Sequence, residues 1–244
     1  MATAVIADRA AASRKDPPAR IAGVFYVLTI VTGIAGFALG RGIVVSSDAA
    51  ATATNILAHP TLFRMSFVAN LLGTLCYVVV TALFYELFKP VNRSVSLVAA
   101  FISVVGCALG AVSCALQLGS FAVLNGQPFA SAFPLEQLDA MALLLLKAGS
   151  LAYSTGMILF GFYCVLIGYL AFRSIFLPRI LGLLFAMAGL GWLTFLSPPL
   201  AAALSTVTML TGLVGEGALG FWLLLKGVDV PRWHQQAMER NLSA

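Results

Sequence analysis

Long apolar blocks separated by short polar stretches run through most of the chain. They cover Ile21 to Leu39, Leu62 to Phe88 and Val95 to Leu124, then a fourth block that ends at Phe172 just before Arg173. A fifth runs from Ile180 to Leu196 and a sixth from Ala202 to Leu225. A helix needs about 20 apolar residues to cross the hydrocarbon core, and each block supplies that length or nearly so. A soluble helix would show polar residues at every turn. The pattern predicts an all-α fold, a polytopic membrane helical bundle of six transmembrane helices over 21–227. Tails of 1–20 and 228–244 flank it, the first expected to be disordered. The first block is longer than the apolar region of a secretory leader, about 7–15 residues, and no small-x-small cleavage site follows it, so it counts as a span.

Breakers and caps add detail. Pro17-Pro18 are expected to keep the N-terminal tail out of helix. Ser47-Asp48 and His59-Pro60 bracket a short surface helix over about 48–58, with Asp48 at its positive end. Pro178 suits the first turn of the fifth span, and Ser197-Pro198-Pro199 stops it. Pro134 opens a helix with Glu136, Gln137 and Asp139 in its first turns, and nothing stronger than Gly149 interrupts it before Arg173. At about 1.5 Å per residue that fourth helix is nearly 60 Å long, roughly twice the hydrocarbon core. It is expected either to project from the membrane or to bend near Gly149-Ser150.

Composition agrees with the pattern. Hydrophobic residues make up 61% of the 244 and charged residues 9%, against about 25% charged in a soluble domain. So few charges cannot cover a water-exposed globule. The net charge of +5 does not point to nucleic acid, because the basic residues sit at the ends of the apolar blocks. Of the fourteen Lys and Arg residues, only Arg41, Arg64 and Lys147 fall on one side of the alternating spans, and eleven fall on the other. Positive residues are retained in the cytoplasm, so both termini are assigned there. Cys76, Cys107, Cys114 and Cys164 all lie inside apolar blocks and are read as reduced core residues.

Few residues are candidates for chemistry. Glu216 lies ten residues before Lys226, about 15 Å deep at helical rise and near the bilayer midplane. A carboxylate there costs at least about 2.5 kcal/mol. It is either a proton, cation or ligand site, or a protonated or hydrogen-bonded residue that joins two helices. Arg64, Asn70, Gln117 and Lys147 gather toward the outer ends of the helices, with Asp48, Asn55, His59, Glu136 and Asp139 above them. They line an outward-facing mouth for an anionic or zwitterionic headgroup, or they are interfacial side chains that snorkel or pair, as Arg64 with Asp48 or Lys147 with Asp139. Gly36 and Gly40, Gly106 and Gly110, and the glycines from Gly212 to Gly220 mark close helix packing, within the chain or in a homodimer. The cysteines show no CxxC spacing, and both histidines, His59 and His234, lie outside the spans. No metal or cofactor site is expected: intramembrane bis-histidine haem ligation, a Ser/His dyad and His-cluster iron sites are excluded, and no phosphate-binding loop or HExxH motif occurs.

Several segments resemble a family. They are Arg20-Ile-Ala-Gly-Val-Phe-Tyr26, Asp48 with the Ala/Thr run to Asn55-Ile56-Leu57, Leu62-Phe63-Arg64 and Lys89-Pro-Val-Asn-Arg93. Phe160-Gly161, Gly168-Tyr169-Leu170, Arg173-Ser174, Leu177-Pro-Arg-Ile-Leu-Gly182 and Lys226-Gly227-Val228 continue the pattern. From Arg20 to Trp233 the chain resembles an uncharacterised bacterial multi-pass membrane protein family, domain of unknown function 4386. The resemblance implies the bacterial cytoplasmic membrane and brings no activity, substrate or cofactor. It implies that Asp48 and Arg64 are fixed features, and Lys147 is not part of it.

The leading expectation is a non-enzymatic protein that binds or transports a small amphipathic molecule or lipid. Arg64, Asn70, Gln117, Lys147 and Asp48 would form the mouth of an outward-facing cavity among the second, third, fourth and sixth spans, and Glu216 its floor. The alternatives are an accessory subunit of a membrane complex, or an intramembrane enzyme using Glu216 as acid or base with Cys76, Cys107 or Tyr163.

Overall fold

The computed structural model describes residues 17–126 and 131–242, and the expected disorder of residues 1–16 lies outside the described residues. Among the described residues the chain is helical throughout, with six helices long and apolar enough to cross a membrane. The first, α1, is Ala19–Gly40. It begins directly on Pro17-Pro18, and the Ala22 N–H donates to the Pro18 carbonyl at 2.9 Å. Pro17 and Pro18 themselves lie outside the helix, and proline just before a helix forfeits no intrahelical bond.

The surface helix α2, Ala49–Ala58, follows the expected bounds, and the Asp48 side chain accepts from the Ala51 N–H at 2.9 Å. The second span, α3, is Pro60–Phe88, with proline in its first turn. The third, α4, is Arg93–Asn125, capped by the Asn92 carboxamide oxygen on the Val95 N–H at 3.1 Å. The fourth, α5, is Leu135–Arg173, 39 residues and about 58 Å at helical rise. It runs unbroken through Gly149-Ser150. A Cβ at Gly149 would lie 3.3 Å from the Ser113 carbonyl oxygen, so the glycine serves close approach to α4. The fifth span, α6, is Arg179–Trp192 and continues as a 3-10 turn to Leu196. Pro198–Ala203 forms a short helix, α7, and the sixth span, α8, starts at Ser205, three residues beyond the start of its apolar block, and ends at Leu225. A final helix, α9, Val230–Leu242, lies in the segment read as a tail.

The spans form a closed ring. Each packs on the next, and α8 returns to α1. Glycines set the close approaches. Gly106 of α4 faces Gly156 of α5, Gly168 of α5 faces Gly182 of α6, and Gly215 of α8 faces the Leu184 carbonyl of α6. Gly36 and Gly40 of α1 face Asn70 and Ser66 of α3. These positions are thus taken up by packing within the chain.

The two ends of the bundle differ. At the end that carries the chain termini, the Asp229 N–H donates to the Phe176 carbonyl at 3.2 Å and the Trp233 indole N–H to the Leu87 carbonyl at 2.9 Å. These bonds dock α9 against the ends of α3 and the α5–α6 connection. The main core fills this half of the ring, with Tyr26, Val80, Phe84, Tyr163, Ile167, Phe185 and Leu219 all buried. At the opposite, distal end Ile43, Ile56, Phe63 and Phe121 form a smaller core with Leu146 packed on it. Helix α2 covers the early turns of α5 there, which accounts for the extra length of α5. The outward faces carry large apolar side chains such as Phe101 at 66% and Leu151 at 71% exposure, a surface that suits lipid and not water.

Candidate functional site

A cavity of about 390 Å³ lies between the two cores, toward the distal end, lined by α1, α3, α4, α5 and the 41–44 connection. Its polar lining comes from Ser66 and Asn70 of α3, Ser113 and Gln117 of α4, Ser150 of α5, and Arg41. Phe37, Phe63 and Leu146 supply apolar walls. Glycine builds the α1 side. A Cβ at Gly36 would run into the Asn70 carboxamide, so only a glycine admits that side chain at the helix contact. One helical turn away, the Ser66 hydroxyl donates to the Gly36 carbonyl at 2.9 Å. The Gln117 amide donates to the Phe63 carbonyl at 3.4 Å. Among the described residues the Asn70 carboxamide has no hydrogen-bond partner, so its donors and its acceptor are free toward the cavity.

The structure brings Asn70 and Gln117 together and keeps the other candidates apart from them. Arg64 is exposed, its guanidinium carbon 4.5 Å from the centroid of the Phe121 ring. That is a cation–π contact. Lys147 is exposed on α5. Asp48 is occupied as the cap of α2, and Asn55 donates to the Ile43 carbonyl at 3.2 Å. Neither Arg64 with Asp48 nor Lys147 with Asp139 forms an ion pair. Among the described residues the salt bridges are Lys89–Glu86 and Arg232–Asp229. The cavity is bounded by the first four spans and not by α8, so Glu216 does not line it.

Glu216 occupies a separate site at the α8–α6–α1 contact. Trp192 of α6 donates its indole N–H to Oε1 at 2.7 Å, and the Tyr26 hydroxyl of α1 donates to Oε2 at 3.2 Å. Helical spacing explains the convergence. Gly212 and Gly220 lie four residues either side of Glu216, on the same face of α8. A Cβ at Gly212 would be 2.9 Å from the Trp192 ring, and one at Gly220 would be 2.9 Å from the Tyr26 ring. The two glycines let both rings lie flat on α8, with their polar ends turned to the carboxyl group between them. Tyr26 stacks on Phe84, with centroids 5.7 Å apart, and meets Tyr77 edge-on at 5.8 Å. Tyr77 in turn meets Tyr163 at 5.9 Å. The hydroxyl oxygens of Tyr77 and Tyr163 are buried with no hydrogen-bond partner.

Tyr26 and Trp192 are functional candidates that the sequence does not mark by charge. The Gly212–Glu216–Gly220 spacing was the signal that could have found them. The four cysteines are free thiols, Cys114 and Cys164 buried. Among the described residues no group of His, Cys, Asp or Glu has the arrangement to hold a metal ion. A second cavity, about 450 Å³, lies at the terminal end between the α5–α6 connection and Trp222, Lys226 and Arg232.

A closed ring of six apolar helices with two polar sites inside it defines an integral, multi-pass membrane protein. The family model described as Domain of unknown function (DUF4386) matches residues 21–227, and the chain belongs to that family. No curated protein and no solved structure matches the chain.

Proposed function

We propose that this membrane protein binds or transports a small amphipathic molecule or lipid in the cavity around Asn70 and Gln117, and acts without catalysis. The observation that carries this reading is the cavity's size and chemistry. Its volume of about 390 Å³ lies within the roughly 300–1,000 Å³ of small-molecule sites. Its lining is divided about evenly between polar and apolar groups, and the Asn70 carboxamide is left without a protein partner. Asn70 is half-buried, so its free donors and acceptor are within reach of a ligand headgroup. Arg41 lies on the lining and is the charged residue there. It suits an anionic or zwitterionic headgroup.

The eleven-to-three distribution of Lys and Arg supports placing the terminal end in the cytoplasm, and the family resemblance implies the bacterial cytoplasmic membrane. In that orientation the cavity lies in the outer half of the bilayer. The test is native mass spectrometry of protein extracted from its own membranes in mild detergent. A lipid-sized adduct is expected, and Asn70→Leu with Gln117→Leu should lower its occupancy about tenfold or more, since each 1.4 kcal/mol is a factor of ten. An adduct retained unchanged in the double variant, or none at all in the parent, sinks the proposal.

A further inference from the structure

We propose that Glu216 is a reversible proton-binding site, and that the phenols of Tyr26, Tyr77 and Tyr163 re-pair their hydroxyls when it takes up or releases the proton. Glu216 does not line the cavity, so the inference stands whether or not the cavity takes a ligand.

The argument begins with donor counting. An ionised carboxylate only accepts hydrogen bonds, an indole N–H only donates, and a phenol does either. With Glu216 ionised, Trp192 and Tyr26 both donate to it, as the structure shows. When Glu216 takes a proton from a hydronium ion, one O–H bond breaks in the hydronium, which is left as water, and one forms on Oε2. That new O–H must find an acceptor, and the Tyr26 oxygen at 3.2 Å is in place. Tyr26 then has to send its own hydrogen elsewhere. The ring that meets Tyr26 edge-on is that of Tyr77, whose buried hydroxyl has no partner, and the ring beyond it is that of Tyr163, whose buried hydroxyl also has none. Buried polar groups without partners are rare and call for an explanation. Here they are the spare acceptors that the protonated state uses. Trp192 donates to Oε1 in both states, so the carboxyl group stays in place while the phenol hydroxyls re-pair.

The charge environment leaves the choice of state open. No Lys, Arg or His pairs with Glu216 among the described residues, so nothing locks the carboxylate in its charged form. The titratable groups that face it are Tyr26 on α1, Tyr77 on α3, and Tyr153 and Cys164 on α5; Tyr163 on α5 joins only through Tyr77, and α6 offers only the Trp192 indole. A purely structural glutamate would need one fixed protonation state and would leave the two orphan phenols unexplained.

Infrared difference spectroscopy of the intact protein in liposomes, stepped between neutral and mildly acidic pH, tests this directly. Acidification should produce the C=O stretch of a protonated carboxyl group in a dry environment. Glu216→Gln should abolish the band. Trp192→Phe should shift its frequency, because the indole bonds the carbonyl oxygen in the protonated state. The frequency shift is a readout that general loss of stability would not produce. A spectrum of the unsubstituted protein with no pH-dependent buried carboxyl band overturns the proposal, and so does a band that survives Glu216→Gln.

Discussion

A backbone-to-backbone helix contact in the ring offers a quantitative test of the packing. Gly168 of α5 and Gly182 of α6 face each other backbone to backbone. A Cβ at Gly182 would lie 2.6 Å from the Gly168 carbonyl oxygen and would also collide with the Phe172 backbone nitrogen. A Cβ at Gly168 would lie 2.7 Å from the Gly182 carbonyl oxygen and 2.7 Å from the Ala186 nitrogen. Ordinary contact begins near 3.4 Å, so alanine at either position must push the helices apart by a sizeable fraction of an ångström. The obstructing atoms are backbone and cannot rotate away. Overpacking of this kind costs about 1–3 kcal/mol, and the better helix propensity of alanine returns up to about 1 kcal/mol. Fixed backbone obstacles put the cost at the upper end of that range, so Gly182→Ala should lose about 2 kcal/mol net, lowering the unfolding midpoint by about 4–8 °C for a chain of this length. Gly33→Ala is the control, since nothing lies within 4 Å of a Cβ there, and it should match or slightly exceed the parent. The double variant Gly168→Ala, Gly182→Ala should cost less than the two singles combined, because one displacement of α6 relieves both clashes. The assay is thermal unfolding in detergent followed by size-exclusion recovery. Equal midpoints for Gly182→Ala and Gly33→Ala would refute the contact.

Trp233→Phe removes the indole donor to the Leu87 carbonyl, a loss of about 1 kcal/mol. Trypsin should then cleave at Arg232 or Arg240 several-fold faster, while the spans stay intact on gels. Orientation is open to cysteine labelling. In a background without the four native cysteines, Ser46→Cys should react with an impermeant maleimide on whole cells, and Gln235→Cys should react only after lysis. The reverse result would invert the assignment drawn from Lys and Arg.

The bilayer makes some features of this chain readable and hides others. Each crossing needs one apolar length, so the ends of α3 and α4 fall within two residues of their apolar blocks. The Asp48 cap and the Pro60 stop are local chemistry, and α2 appears where they put it. Rotation about each helix axis is different. In a span that is apolar all round, no periodic stripe marks the inward face. Depth alone grouped Arg64, Asn70, Gln117 and Lys147, yet only Asn70 and Gln117 turn into the cavity. Glu216 was found by its charge, but its partners sit on helices whose registers relative to α8 are tertiary facts. Glycine carries the missing information. Gly36 marks the face that admits Asn70, Gly149 marks the contact with Ser113 and not a bend, and Gly212 with Gly220 mark the face that receives Trp192 and Tyr26. In a lipid-embedded bundle close packing is the main association force. The positions that lack a side chain therefore report helix orientation better than the positions that bear a charge.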